Sequence, residues 1–373
     1  MSKVKTRILV ISDTHGAIPS FSTSPFPLGL TAKTMRSPEF SLETKSPFYR
    51  YPLPEADILL HCGDLTLNSD PHEFSQTLGV LRQHSAPLKL FIAGHHDTIL
   101  DKNFTSSFSS TARQKSMLDF EERDRKRVHE LIEDACKSGV HYLTEGSYTF
   151  NLTNGAVFKI YASPWTPRNG RWAFQYDGVH QFKIPSSVDV VMTHGPPRGI
   201  LDLTSHGGDG GEGSNSRPKR RAGCRYLMQA IAHAKPQVHC FGHTHEAWGA
   251  VCGYWGEAAS SASGSDQGLD DSVPFRTERL YDLNWLETQS EVDARLLIEL
   301  NRDCGIQLDL TETRTQKESR TRKDLTESSA KKETVFVNAA IMDTDHRPTQ
   351  IPFVIDLELP EFRRTEMPNI LND

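Results

Sequence analysis

The chain has 373 residues, 36% of them hydrophobic and 24% charged, with a net charge of −6; that is enough for one large domain or two medium ones, more polar than an average globular protein. The negative balance argues against a general nucleic-acid or membrane-surface binder and still permits a local positive site such as a metal centre. No run approaches the ~18 apolar residues of a membrane span, and the apolar stretch in MSKVKTRILVISDTH is too short for a signal segment. The six cysteines (Cys62, Cys136, Cys224, Cys240, Cys252, Cys304) form no CxxC pair, which reads as reduced thiols in a cytoplasmic protein.

In chain order, short β-branched runs bounded by turn residues predict strands at Arg7 to Ile11, Asp57 to His61, Leu88 to Ile92, Val188 to Met192 and Gln237 to Phe241. Their apolar character is nearly continuous, as expected of strands covered on both faces. Further strands are expected at Val157 to Tyr161, Val335 to Val337 and Phe353 to Leu357. Asp70-Pro71, followed by Phe74, Leu78 and Leu81, predicts a capped helix. Val128, Leu131, Ile132 and Ala135 line one face of a second, over Phe120 to Ser138, with Gly139 as its stop. A third runs from Cys224 to Ala234. Strands alternating with helices mean an α/β protein, and the close strands near residues 140–190 predict mixed sheets.

Three stretches read as flexible insertions: the glycine-rich 207–221, the Ser/Ala/Gly-rich 253–271, and the charged, nearly apolar-free 308–333. RPKRR, at the end of the first, reads as a solvated loop, with a nuclear signal as the alternative. Ser290 to Asn301 is a candidate amphipathic helix.

The five main strands end alike. ILVISDTHG carries Asp13 and His15, ILLHCGDLT carries Asp64, LFIAGHHDT carries His95, His96 and Asp97, VVMTHGPPRG carries His194, and VHCFGHTHE carries His243 and His245. In open α/β sheets the loops leaving that edge converge on a ligand crevice. In Asp13-x-His15 and His243-x-His245, residues two apart project to one side in an extended chain. Gly63, Gly94 and Gly242 precede ligand positions and are expected to permit tight turns. Mixed carboxylate and imidazole donors suit manganese, iron or zinc, and the lack of ligand cysteines argues against a structural zinc site. Asp13, His15, Asp64, His194, His243 and His245 already make six donors, too many for one ion. Two ions ~3.5–4 Å apart need a bridging carboxylate, for which Asp64 is the natural candidate.

DTH, GD, G-x-H-D, THG and GHTH, in that order, resemble the signature blocks of calcineurin-like metallophosphoesterases. SPWTPRNGRWAF, THGPPRG, HEAWG and FVNAA look like the metallophosphoesterase-domain, 239FB-like branch, related to class III cyclic-nucleotide phosphodiesterases. Protein Ser/Thr phosphatases, with GDYVDRG where this chain has GDLTLNS, fit less well, as do purple acid phosphatases, which place a tyrosine where this chain has Leu67. The resemblance implies one phosphoesterase domain over 1–373, a four-layer α/β/β/α sandwich of two mixed sheets flanked by helices. It implies that Asp13, His15, Asp64 and His245 hold one divalent ion and Asp64, His194 and His243 the other, manganese first, with iron or zinc as alternatives. A hydroxide between the ions would attack phosphorus, His96 would assist the leaving oxygen, and Asp97 would orient His96.

His95 stands where the family has an asparagine whose carbonyl oxygen ligates the second ion. An imidazole there either ligates, shifting the site toward zinc or iron, or weakens it. Arg198 is a candidate phosphate clamp, with an exposed loop arginine as the equal alternative; Trp165, Trp172 and Phe174 read first as packing of the sheet edge, with stacking of a nucleobase, Trp165 foremost, as the alternative. His61 and His239, inside strands, are expected to be structural. The expected partner is a small phosphorylated molecule, a nucleotide by preference, with no nucleic acid and no membrane; the oligomeric state stays open. The expected activity is a phosphodiesterase on cyclic nucleotides. The alternatives are a phosphomonoesterase or phosphoprotein phosphatase on the same centre, or a low-activity metal-binding scaffold.

Overall fold

A computed structural model describes residues 2–20, 49–104, 112–204, 220–256, 275–282, 306–311 and 333–362. In chain order the elements are β1 (Lys3–Ile11), β2 (Ile58–His61), α1 (Pro71–Gln83), β3 (Leu88–Phe91), α2 (Ala112–Cys136), β4 (Val140–Tyr142), β5 (Gly146–Asn151), β6 (Val157–Ser163), β7 (Thr166–Pro167), β8 (Gln175–Tyr176) and β9 (Val190–Thr193). There follow β10 (Leu203–Thr204), β11 (Arg220–Arg221), α3 (Arg225–Ala234), β12 (Val238–Phe241), β13 (Gly249–Trp255), β14 (Phe275–Asp282), β15 (Ile306–Asp309), β16 (Glu333–Asn338) and β17 (Phe353–Pro360).

Two mixed sheets form, in the orders β15-β17-β1-β2-β3-β4 and β14-β13-β16-β12-β9-β6-β5. Within the first, β1 to β4 run parallel and β17 pairs antiparallel with β1. Within the second, β6, β9, β12 and β16 are parallel, while β5 and β13 join antiparallel.

Alternation along each strand explains the unbroken apolar runs. Ile8 and Val10 of β1 face Ile160, Val190 and Val238 of the other sheet in one buried cluster. Leu9 and Ile11, on the opposite face, pack with Phe74, Leu78 and Leu81 of α1 and Val128 and Ala135 of α2. Behind the second sheet, Val191 and Phe241 pack with Leu227, Met228 and Ile231 of α3. The order is therefore helices, sheet, sheet, helix: the four-layer sandwich. Each such fully buried Leu, Ile or Phe contributes about 1.5–3 kcal/mol, so the facing sheets form a rigid base for the loops at their ends.

Helix α1 starts as the sequence predicts. Asp70 accepts from the His72 N–H and Glu73 reaches back to the Asp70 N–H, a reciprocal cap with Pro71 in the first turn. Helix α3 begins one residue later than expected because Cys224 is its cap, its sulfur accepting from the Leu227 N–H.

The insertion boundaries need correction. Gly253, Tyr254 and Trp255 belong to β13, which is buried along its length because it pairs on both sides. Leu308 is buried in β15, Glu333 opens β16, and Arg220 and Arg221 form β11. Residues 207–219, 257–271 and 312–332, and the candidate helix Ser290 to Asn301, lie outside the described residues. Among the described residues no helix is long and apolar enough to cross a membrane.

Candidate metal centre

The C-terminal ends of β1, β2 and β3 in one sheet meet those of β9 and β12 in the other. Backbone bonds join four of the five loops in pairs: Asp13 N–H to the Gly63 carbonyl at 2.9 Å and His15 N–H to that of Asp64 at 3.0 Å, and Gly242 N–H to that of His194 at 3.0 Å. Convergence comes from turns rather than strand alternation. Asp13, His15, Asp64 and His243 all have positive φ, 52°, 44°, 54° and 67°. Four non-glycine residues in the left-handed region at one place is backbone strain of the kind found at functional sites. Gly63 does turn with φ of 100°, but Gly94 and Gly242 serve another need. A Cβ at Gly94 would collide with Asp64 Oδ1, and one at Gly242 with Asp13 Oδ2.

Each carboxylate is oriented by a backbone donor from another loop. The His243 N–H donates to Asp13 Oδ2 at 2.9 Å, and the His96 N–H donates to Asp64 Oδ1 at 2.8 Å. The imidazoles are steered too. Nδ1 of His15 meets the Thr66 carbonyl at 3.1 Å, that of His194 the Cys62 carbonyl at 3.0 Å, and that of His245 the Asp343 carbonyl at 3.2 Å. A carbonyl only accepts, so each Nδ1 carries the proton and each Nε2 lone pair is turned inward.

What those lone pairs face decides the chemistry. His15 Nε2 and His245 Nε2 lie 3.4 Å apart, and the Asp13 carboxylate outweighs burial and holds His245 above its ordinary value, drawing positive charge to this spot. Asp64 Oδ2 lies 3.8 Å from His15 Nε2 and 3.5 Å from His194 Nε2, and Asp13 Oδ1 lies 3.4 Å from His245 Nε2. His194 Nε2 is buried without a hydrogen-bond partner. Converging lone pairs and an orphaned buried nitrogen are what cations would satisfy. Donor atoms within 4.8 Å of one another group Asp13, Asp64 and His194, then His15, Asp64 and His96, then His95, His194 and His243. Asp64 and His194 each recur, and Asp64 Oδ2 reaches imidazoles on both sides. The residues present therefore fit two cations sharing Asp64.

The electrostatics suit that reading. Burial lowers His15 and His243 to about 4, against the pull of Asp64 and Asp13, and the neighbouring His194 lowers His243 further. Burial, with the nearby His243 and His194, takes His95 well below its ordinary value. These imidazoles are neutral donors at physiological pH. Burial pushes Asp13 and Asp64 up, but surrounding histidines outweigh it and hold both carboxyls below the ordinary value.

His95 is buried, contacts the Thr166 hydroxyl through Nε2, and has its ring centroid 4.4 Å from that of His243. It is placed among the donors of the group with His194 and His243. His96 is half-buried, with Nδ1 on the Leu67 carbonyl at 2.7 Å and its ring 4.7 Å from that of His15.

One expectation is corrected, and two candidate substrate contacts gain no support from the geometry. Asp97 does not hold His96. Its carboxylate accepts from the Leu65, Thr66 and Gly94 N–H groups at 3.1, 3.0 and 2.8 Å and from the Thr66 hydroxyl at 2.7 Å. It thus ties the β2 and β3 loops together, and burial plus the Asp64 charge push it up to about 6. Trp165 packs against the apolar clusters beside Phe174 and His180, because the loop after β6 turns it inward. Arg198, whose N–H bonds the Cys224 carbonyl at 3.0 Å, is not among the residues lining the cavity.

That cavity, about 290 Å³, is lined by His15, Asp64, His95, His96, His243 and His245, and also by Trp172, Glu246, Thr344 and His346. The sequence reading missed the last three. Glu246 directly follows a signature histidine, a signal that was available. Trp172 is 42% exposed and its ring lies 4.5 Å from that of His96, tilted by 32°. His61 and His239 are structural, bonding Thr14 and Thr193 hydroxyls at 2.9 Å beneath the ligand loops.

Residues 6–247 match the calcineurin-like phosphoesterase family. Metallophosphoesterase domain-containing protein 1 of Homo sapiens is 28% identical over 216 residues, 53% of this chain and 57% of that protein. A UPF0046 protein of Caenorhabditis elegans is 28% identical over 210 residues, 53% of this chain and 48% of that one. A probable rhamnogalacturonate lyase C of Emericella nidulans is 32% identical over 208 residues, 54% of this chain but 16% of that protein. The matches thus span about half or less of these relatives' lengths, and two of the three names fall on the branch that the motifs resemble. The chain belongs to the calcineurin-like phosphoesterase family.

Proposed function

We propose that the protein is a two-metal phosphoric ester hydrolase that prefers phosphodiesters, with cyclic nucleotides as the favoured substrate class. The observation that carries the hydrolase reading is the set of facing Nε2 atoms of His15 and His245 beside the shared Asp64 carboxylate. Asp13, His15, Asp64 and His245 would hold one ion, and Asp64, His95, His194 and His243 the other. Manganese is the first choice, with iron or zinc as alternatives. When bound, such ions polarise phosphoryl oxygens and lower the pKa of a coordinated water.

The chain supplies the rest. Asp97 fixes the loop that carries His96, and the Leu67 carbonyl fixes its ring by accepting the Nδ1 proton. As an imidazolium, with Nδ1 still bonded to the Leu67 carbonyl, His96 would pass its Nε2 proton to the leaving oxygen and be left neutral. Two features favour a diester. Among the described residues the cavity lining contains no lysine or arginine and includes the Glu246 carboxylate, a setting less favourable to a monoester dianion than to a singly charged diester. The open face of Trp172 beside His96 offers a stacking surface for a nucleobase on the leaving side.

The test is hydrolysis by manganese-loaded protein of bis-p-nitrophenyl phosphate, p-nitrophenyl phosphate and 2′,3′- and 3′,5′-cyclic nucleotides. Faster turnover of the diesters supports the proposal. Faster turnover of the monoester makes it a phosphomonoesterase, and metal uptake without any hydrolysis makes it a scaffold.

A further inference from the structure

One wall of the cavity comes from residues 343–350, beyond the stretch that matches the family. Asp343 organises this loop. Its carboxylate accepts from the Asp345 and Arg347 N–H groups, both at 2.9 Å, and from Arg347 Nε and the Thr349 hydroxyl, both at 3.0 Å. The loop is also anchored to a ligand. The Asp343 carbonyl accepts from His245 Nδ1, and Gln350 Nε2 donates to the His245 carbonyl at 2.9 Å.

At the tip stands His346, in the left-handed region with φ of 55°. That is an unfavourable conformation for a non-glycine residue, maintained here by the bonds on either side. Its ring meets those of His15 and His245 edge-on, with centroids 5.5 and 5.1 Å away. Among the described residues its imidazole makes no hydrogen bond, although it lines the cavity. His96 and His346 thus flank His15, with His96 backed by Trp172 and His346 on the side of His245.

We infer that His346 is a second imidazole contact for the phosphoryl group, donating a hydrogen bond to a non-bridging oxygen on the His15–His245 side. The inference rests on the phosphoesterase reading of the centre. It needs no protonation change, because a neutral imidazole always retains one N–H donor. The rival role is that of an added ligand, since His15, His245 and His346 also bring donor atoms within 4.8 Å of one another.

The experiment titrates inorganic phosphate into manganese-loaded wild-type, H346A, H346F and H346Q proteins by calorimetry, with metal content and diester hydrolysis measured in parallel. H346F keeps a ring against His15 and His245 but has no donor; H346Q keeps a donor. Phosphate affinity should fall about tenfold in H346A and H346F, as expected for one lost hydrogen bond to a charged oxygen. It should stay within about threefold in H346Q, with metal content unchanged throughout. Wild-type phosphate affinity in H346F, or lost metal in H346A, overturns the inference while leaving the hydrolase reading intact. Weakened phosphate binding in H346F together with no hydrolysis by wild type overturns the hydrolase reading instead. Metal-loaded wild type that binds no phosphate overturns the inference.

Discussion

Around Asp13, Asp64, His15 and His245 the donors mix carboxylate with imidazole, and backbone donors from neighbouring loops hold both carboxylates. Around His95, His194 and His243 three imidazoles gather, with the edge of the Asp64 carboxylate as their oxygen contact. The same sheet edges build both halves, yet the first suits an oxygen-tolerant ion and the second a more nitrogen-seeking one. Asp64 belongs to both, and His95 is what makes the second half different.

Removing the shared residue should have the largest effect. Asp64→Asn should drop diester hydrolysis to about a thousandth of wild type or less and leave fewer than two ions bound. Elemental analysis showing two retained ions would separate Asp64 from the metals.

His96→Ala should leave both halves loaded and cut kcat by about 10²–10³, the scale of a positioned proton donor. A variant that lost metal instead would make His96 a ligand. His95→Asn should keep or raise activity while shifting the second half from zinc or iron toward manganese or magnesium, with zinc affinity falling about tenfold. Competition between the metals, read by affinity, would show it. An inactive His95→Asn protein would mean that the histidine pair is misassigned.

The smallest effect concerns acid stability without metal. Burial lowers His15, His61 and His243 from 6.5 to about 4 and His239 to about 3. Between pH 6.5 and about 4 the unfolded chain takes up protons that the folded chain refuses, so stability present above pH 6.5 is lost as pH falls. Asp97, raised to about 6, and His245, which the Asp13 carboxylate raises against the effect of burial, work in the opposite direction, two groups against four. The urea midpoint of metal-free protein should be lower at pH 5 than at pH 7.5. An equal or higher midpoint at pH 5 would contradict the buried neutral histidines.

The sequence displayed the strands of the sandwich because both faces of β1, β2, β9 and β12 are covered, which leaves unbroken apolar runs. It displayed the candidate metal donors because strand ends repeat one chemistry. Other features depend on pairing that no local pattern records. β5, with alternating burial, and β14 are edge strands of the second sheet, and β15 is an edge of the first. Gly253 to Trp255 look like the start of a small-residue linker, yet β14 pairs with all three and β16 with Gly253 and Tyr254. Trp165 and Trp172 share one motif, and only the turn between them sends one into the core and leaves the other open. Asp97 follows His96 directly, but the nearby N–H groups of Leu65, Thr66 and Gly94 claim its oxygens. His346 carries no motif and reaches the centre only because β16 pairs beside β12.

The most direct test of a shared Asp64 is manganese titration of metal-free protein, followed by electron paramagnetic resonance at saturation. Two Mn(II) per chain with the multiline spectrum of a spin-coupled pair is the predicted result. One ion per chain, or two uncoupled signals, would contradict it.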